Sequence, residues 1–122
     1  MKKYIVPIFT SEYYVAVMLG KRDEVCKEGA KFAEEPLDKF TKEFNGRGQA
    51  HNLLPKGKYP LIIVDWDLPA HIAFSTLAHE AVHALDFISN YLGMQDVSGE
   101  FVAHGVGEIM RAVTKDILKK KK

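Results

Sequence analysis

Cysteine is nearly absent. Cys26 stands alone among 122 residues, so no internal disulfide can form and the stapled architectures of small secreted domains are excluded. A reducing compartment, the cytoplasm, is the expectation. Long hydrophobic runs are missing too. The Met-Lys-Lys start turns apolar as a leader peptide would, but Pro7 and Glu12 interrupt it, and no later stretch is long enough to span a bilayer. No membrane partner is expected. Charge of one sign is also lacking: 17 Lys and Arg face 16 Asp and Glu, and four of the bases form the terminal run Lys119 to Lys122. With that run set aside the acids outnumber the bases by three, so the body lacks the basic stripe with which a nucleic-acid binder neutralises phosphates. No nucleic-acid partner is expected, and the lysine run (119–122) reads as a frayed, solvated end. Internal repeats and other low-complexity segments are absent.

What remains is an ordinary folding composition, 47% hydrophobic and 27% charged, with room for one core and one domain over residues 1–122. Lys3 to Phe9 and Tyr13 to Leu19 are β-branched and aromatic segments flanking Thr10, Ser11 and Glu12, a pattern that predicts a β-hairpin. From Lys21 to Phe44 the apolar residues recur at three- and four-residue spacing among charges, which predicts an amphipathic helix split or kinked at Pro36. Gln49 to Leu54 reads as a short strand, and Leu61 to Trp66 as a stronger one. Pro69 to Leu92 reads as a helix capped by Asp67 and closed by Gly93. A last helix is expected from Ser98, its N-cap, to about Lys119, with the stripe Val102, Val106, Ile109, Val113 and Ile117 turned inwards. The expected class is α+β: a small sheet packed against an N-terminal helix and two C-terminal helices.

The first of these C-terminal helices carries His79-Glu80-Ala81-Val82-His83, an H-E-x-x-H motif. Positions four apart on a helix lie about 40° apart around the axis and about 6 Å along it, so both imidazoles reach one ion. Zinc favours such nitrogen donors, and one rigid helix fixes two of them at little entropic cost. Glu80 points to a neighbouring part of the face, where a carboxylate serves as the base for a water acidified by the metal.

Two histidines call for a third protein ligand. Cys26 lies in the charged first helix, which leaves Glu100 as the leading candidate: it stands in the first turn of the next helix, which an antiparallel hairpin would fold back towards the middle of the metal helix. Alternatively Glu100 complements the positive helix N-terminus behind Ser98. His104, one turn on, reads as third ligand in place of Glu100, as partner bracing a ligand, as donor to a developing oxyanion, or equally as an ordinary hydrogen-bonded histidine. Asp86 is placed either to accept a proton from a ligand's free ring nitrogen or simply to face solvent.

His79-Glu80-x-x-His83 followed by Glu100-Phe101-Val102-Ala103-His104 resembles the gluzincin metallopeptidases, in which H-E-x-x-H pairs with E-x-x-A-D on a later helix. It is similar in particular to the small single-domain zincins of phages and prophages. The resemblance covers Leu77 to about Met110. It implies zinc on His79, His83 and Glu100, Glu80 as general base and acid, and a sheet edge that receives an extended substrate, here Gln49 to Leu54 or Leu61 to Trp66. His104 stands where many of these proteins have an Asp.

Among the remaining residues, His71 lies about 12 Å from His79 along the axis, too far to share an ion. His51 reads as either a cleft residue or a surface strand histidine, Tyr59 and Tyr91 as either oxyanion donors or packing aromatics, and Asp65 with Asp67 as either a carboxylate pair or, for Asp67, a cap. The expected function is zinc-dependent hydrolysis of a peptide or protein substrate, within which cleavage of a repressor or a phage protein is one form. The competing expectation is a zinc-stabilised interaction module without catalysis, which closure of the site by Glu100 and His104 together would favour.

Overall fold

The computed structural model describes residues 1–8, 12–44, 46–93 and 98–119. The fold is α+β. Strands β1 (Lys2–Ile8) and β2 (Tyr13–Gly20) form the expected antiparallel hairpin, with Val6 opposite Val15 and Ile8 opposite Tyr13. Strand β3 (Gly48–His51) and strand β4 (Leu61–Asp65) complete a four-stranded sheet of order β1-β2-β4-β3. Strand β4 runs parallel to β2 and antiparallel to β3, so β4 is interior and β3 lies at an edge.

Helices cover both faces, and the central strands explain why. Val15, Val17, Leu19, Ile62 and Val64 pack into one apolar cluster, while the alternating Ala16, Met18, Leu61 and Ile63 pack into another. A strand buried on both sides reads as a continuous apolar run rather than as alternation, as 61–64 does. Helices α1 (Arg22–Ala33) and α2 (Leu37–Glu43) seal one face through Val25, Cys26, Ala30 and Phe40. The break between them begins at Glu34, which caps α1 in the left-handed region with φ 57° and its N–H on the Ala30 and Lys31 carbonyls, and the Pro36 ring disfavours helical geometry at Glu35 that follows.

The other face is covered by α3 (Ala70–Tyr91) and α4 (Ser98–Lys119). Gly93 closes α3 as expected, with φ +70° and its N–H on the Asn90 carbonyl. The start of α3 departs from expectation. Pro69, not Asp67, occupies the cap position and no side chain caps the helix; the Asp65 carboxylate instead accepts the Asp67 N–H at 3.1 Å, an Asx turn that competes with capping. The side chain of Ser98, expected as the α4 cap, and the residues 120–122 of the lysine run lie outside the described residues.

All five residues of the expected α4 stripe meet the core, Ile109 and Val113 fully buried and Val102, Val106 and Ile117 at its margin, and Phe101 joins them. Gly105 lies on the same buried stripe. A Cβ there would stand 2.3 Å from Leu85 Cδ1, so the bare glycine lets α4 lie directly on α3. Tyr4 Oη donates to Asp116 Oδ2 at 2.7 Å and fastens α4 to β1. Among the described residues no helix is long and apolar enough to cross a membrane.

Candidate metal centre and cleft

Helix α3 turns Thr76, Leu77, Glu80, Ala81, Ala84 and Leu85 inwards, which leaves His79 and His83 together on its exposed side. Their Nε2 atoms are 3.3 Å apart and their rings nearly perpendicular, at 80°. A tetrahedral zinc at 2.0–2.1 Å from two ring nitrogens separates them by about 3.3–3.4 Å, so the pair is spaced as two ligands of one ion. The same spacing also allows a hydrogen bond between the two rings, with donor and acceptor set by the tautomers.

Glu80, on the neighbouring part of the helix face, is buried at 9% exposure against β3, where the Ala50 amide hydrogen-bonds its carboxylate. Burial pushes this carboxyl above the ordinary range; the neighbouring His79 and His83 and the Ala50 N–H pull in the opposite direction. The close approach of strand and helix depends on Gly48, where a Cβ would stand 2.8 Å from Thr76 Cγ2 and 3.3 Å from Glu80 Cγ. Beside this contact opens a cleft of about 470 Å³, walled on one side by Ser75, Thr76, His79 and Glu80 and on the other by Gly46, Arg47 and Gly48.

Of the two strands considered for an extended substrate, Leu61–Asp65 is excluded, since both of its edges are already paired. The edge strand Gly48–His51 borders the cleft.

The structure does not bring Glu100 to the histidine pair. Among the described residues no three His, Cys, Asp or Glu side chains converge as a metal site. The contact of Gly105 with Leu85, and the cleft that Ile117 shares with Ala73 and Phe74, set α3 and α4 antiparallel. That register puts Glu100 level with Asn90, about 10 Å along the axes from the level of His83. The helix hairpin is as expected, but α4 starts so soon after α3 ends that Glu100 sits at its closed end rather than opposite the middle of α3. There its exposed carboxylate lies 3.6 Å from His104 Nε2.

Asp86 and His71 are exposed on α3, and no hydrogen bond joins Asp86 to either imidazole. His51 is neither a cleft nor a surface residue: it is buried on the opposite face of the sheet, stacked on Phe40 with centroids 4.1 Å apart. Strand alternation accounts for this, since Gly48 and Ala50 take the α3 side and His51 the other. Tyr59 packs against Tyr14, and Tyr91 is 63% exposed; neither lines the cleft. Arg47 and Thr76 line it and were not anticipated. The Gly-Arg-Gly run ahead of a strand was the available signal for Arg47, a lone long side chain between two residues that have none.

Comparison with family models, with curated proteins and with solved structures returned no match.

Proposed function

We propose that the chain is a zinc-dependent hydrolase of peptide bonds, of the gluzincin kind, with His79 and His83 as metal ligands, Glu100 as the third and Glu80 as general base and acid. The observation that carries this reading is the 3.3 Å between the two Nε2 atoms, beside a buried carboxylate on the wall of an open cleft. Zinc held there would act as a Lewis acid, polarising a carbonyl and acidifying water.

The protein's own part falls to Glu80. Its raised proton affinity suits it to take a proton from the attacking water and return it to the departing amine, and the Ala50 amide holds the carboxylate in orientation. Of the roles open to His104, bracing Glu100 is the one that the 3.6 Å pair supports. Ligation by Glu100 asks the first turn of α4 to draw towards His83. An interaction module has no need of a buried base beside a cleft, a feature that favours hydrolysis.

The test is zinc content of the purified wild type beside His79→Ala, Glu80→Gln and Glu100→Gln, together with cleavage of a mixed peptide pool. His79→Ala should lose zinc and activity, Glu80→Gln should keep zinc and lose turnover, and Glu100→Gln should weaken zinc binding. A zinc-loaded wild type that cleaves no peptide overturns the proposal.

A further inference from the structure

We infer that the sheet edge at β1 docks a protein partner through an extended segment of aliphatic and acidic residues, which pairs with β1 and lays its side chains along the groove between β1 and α1.

The sheet runs β1-β2-β4-β3, so this edge is the one farthest from the cleft beside Glu80, and the surface owes nothing to the hydrolase reading. In an antiparallel pair the main-chain groups of alternate residues turn towards one neighbour only, which leaves those of every other β1 residue open at the edge. One face of the strand is open as well. Tyr4, Val6 and Ile8 meet the core beneath α3 and α4. Lys3 and Ile5 alternate with them and stand opposite Met18 and Ala16, two residues packed beneath α1. Helix α1, however, lies over β2 and β4 rather than over β1. Ile5 is therefore 51% exposed, in a strand where Val6 and Ile8 are buried. Beside it runs a groove of about 330 Å³, lined by Ala16 and Met18 from the sheet and by Phe32 from α1.

The rim of the groove is basic. Lys3 Nζ donates to Glu28 Oε1 at 2.7 Å from strand to helix. The Glu28 carboxyl is held below its usual range chiefly by Lys3 and also by Lys31 and Lys27, against an opposing push from desolvation. Three ammonium groups thus act on one carboxylate. Among the described residues Lys27 and Lys31 have no ion pair of their own, so two positive charges stand unmatched next to apolar surface. That surplus selects the occupant. A segment bearing carboxylates complements it, whereas a second copy of the chain would bring the same unmatched lysines to the contact. In strand addition main-chain bonds supply affinity and alternate side chains supply specificity, here an aliphatic residue beside Ile5 and an acid two residues along on the same face. Pro7 has no N–H to give, which confines pairing to residues 2–6 and guards the edge against longer, unspecific strands.

The test is an amide NMR titration of the isotope-labelled, metal-free full chain with acetyl-Ser-Ile-Ser-Glu-Ser-Ile-Ser-amide, whose two Ile and central Glu share one face of a strand, and with its Gln and Lys counterparts. The Glu peptide should bind about fivefold more tightly than the Gln peptide at low salt and the Lys peptide least, with the preference fading as salt rises. Shifts and slowed hydrogen exchange should fall on β1 and not on β3. Lys27→Gln together with Lys31→Gln should erase the preference for Glu while sparing the Gln peptide, and Ile5→Glu should abolish binding of the Glu peptide; all three side chains are exposed, so the fold should survive. Equal affinity for the three peptides, no measurable binding of the Glu peptide, or effects centred on β3 would each overturn the inference. So would self-association of wild type in sedimentation that Ile5→Glu abolishes, which would make a second copy the occupant.

Discussion

The Ala50 amide donates to the Glu80 carboxylate, so the exposed edge of the sheet and the helix bearing the histidine pair meet at the only buried carboxylate among the described residues. Two otherwise independent features of the chain, a short strand and an H-E-x-x-H helix, become one site through this contact. The imidazoles are exposed on α3 while the acid between them in sequence is buried and held by main chain. A charge-assisted bond of this kind fixes direction as well as adding stability.

Gly48→Ala tests how tightly that junction is drawn. The new methyl would meet Thr76 Cγ2 at 2.8 Å and the Ile63 carbonyl oxygen at 3.1 Å, and the carbonyl belongs to the sheet and cannot step aside. Overpacking of this kind costs about 1–3 kcal/mol, and urea unfolding should show it. Thr76→Ser removes the nearer obstacle, so the double variant should recover part of the loss. Two additive single effects would mean that the strand does not bear on the helix here.

Metal should stabilise the chain in proportion to its binding. Zinc at about a hundred times its Kd adds about 2.7 kcal/mol to unfolding if the unfolded chain binds none. Denaturant unfolding of wild type should shift by this amount on adding zinc and return on chelation. His83→Ala should not shift, because one imidazole of the 3.3 Å pair is gone. An equal shift in both proteins would put the ion elsewhere.

Much of this architecture is legible residue by residue, because local chemistry decides it. The apolar run 61–64 is a strand buried on both faces, Pro36 divides the first helical region, Gly93 ends α3, and H-E-x-x-H on a helix brings its two rings together. What is not legible depends on distant neighbours. That β4 is interior and β3 an edge follows from strand order, which no local pattern encodes. His51 alternates away from Glu80 only once the register of β3 against β4 is known. Arg47 belongs to the cleft because its flanking glycines let the strand close on α3, and Glu100 misses the level of His83 because Gly105 sets the stagger of the helix pair.

Gly105→Ala should therefore damage the helix pair more than its chemistry suggests. A helical Gly-to-Ala change by itself gains roughly 0.5–1 kcal/mol. Here the Cβ would lie 2.3 Å from Leu85 Cδ1 and 2.5 Å from its Cγ, so α3 and α4 must separate or Leu85, fully buried, must repack. Net destabilisation of about 1–3 kcal/mol is expected, and Leu85→Ala in the same chain should relieve the clash even though it opens a cavity. A double-mutant cycle measures the coupling; a value near zero would mean the helices do not touch at this point.

His51 predicts an acid-sensitive fold. Its ring is buried on Phe40 with no hydrogen-bond partner for Nε2 among the described residues, and its Nδ1 lies 3.6 Å from the Glu43 carboxylate. Burial pushes its pKa below the ordinary 6.5; Glu43 and Glu35 oppose the shift and Lys39 adds to it. The unfolded chain therefore takes up a proton at this position more readily than the folded one. Stability from the neutral ring is complete above pH 6.5 and is lost as the pH falls from there towards the lower folded value, with a slope of at most about 1.4 kcal/mol per pH unit. Urea unfolding of the metal-free protein at pH 7.5, 6.5 and 5.5 should show wild type losing stability over the lower interval, whereas His51→Gln, with no proton to take up, should lose less. Parallel profiles for the two proteins would show that the ring is no harder to protonate in the fold than out of it.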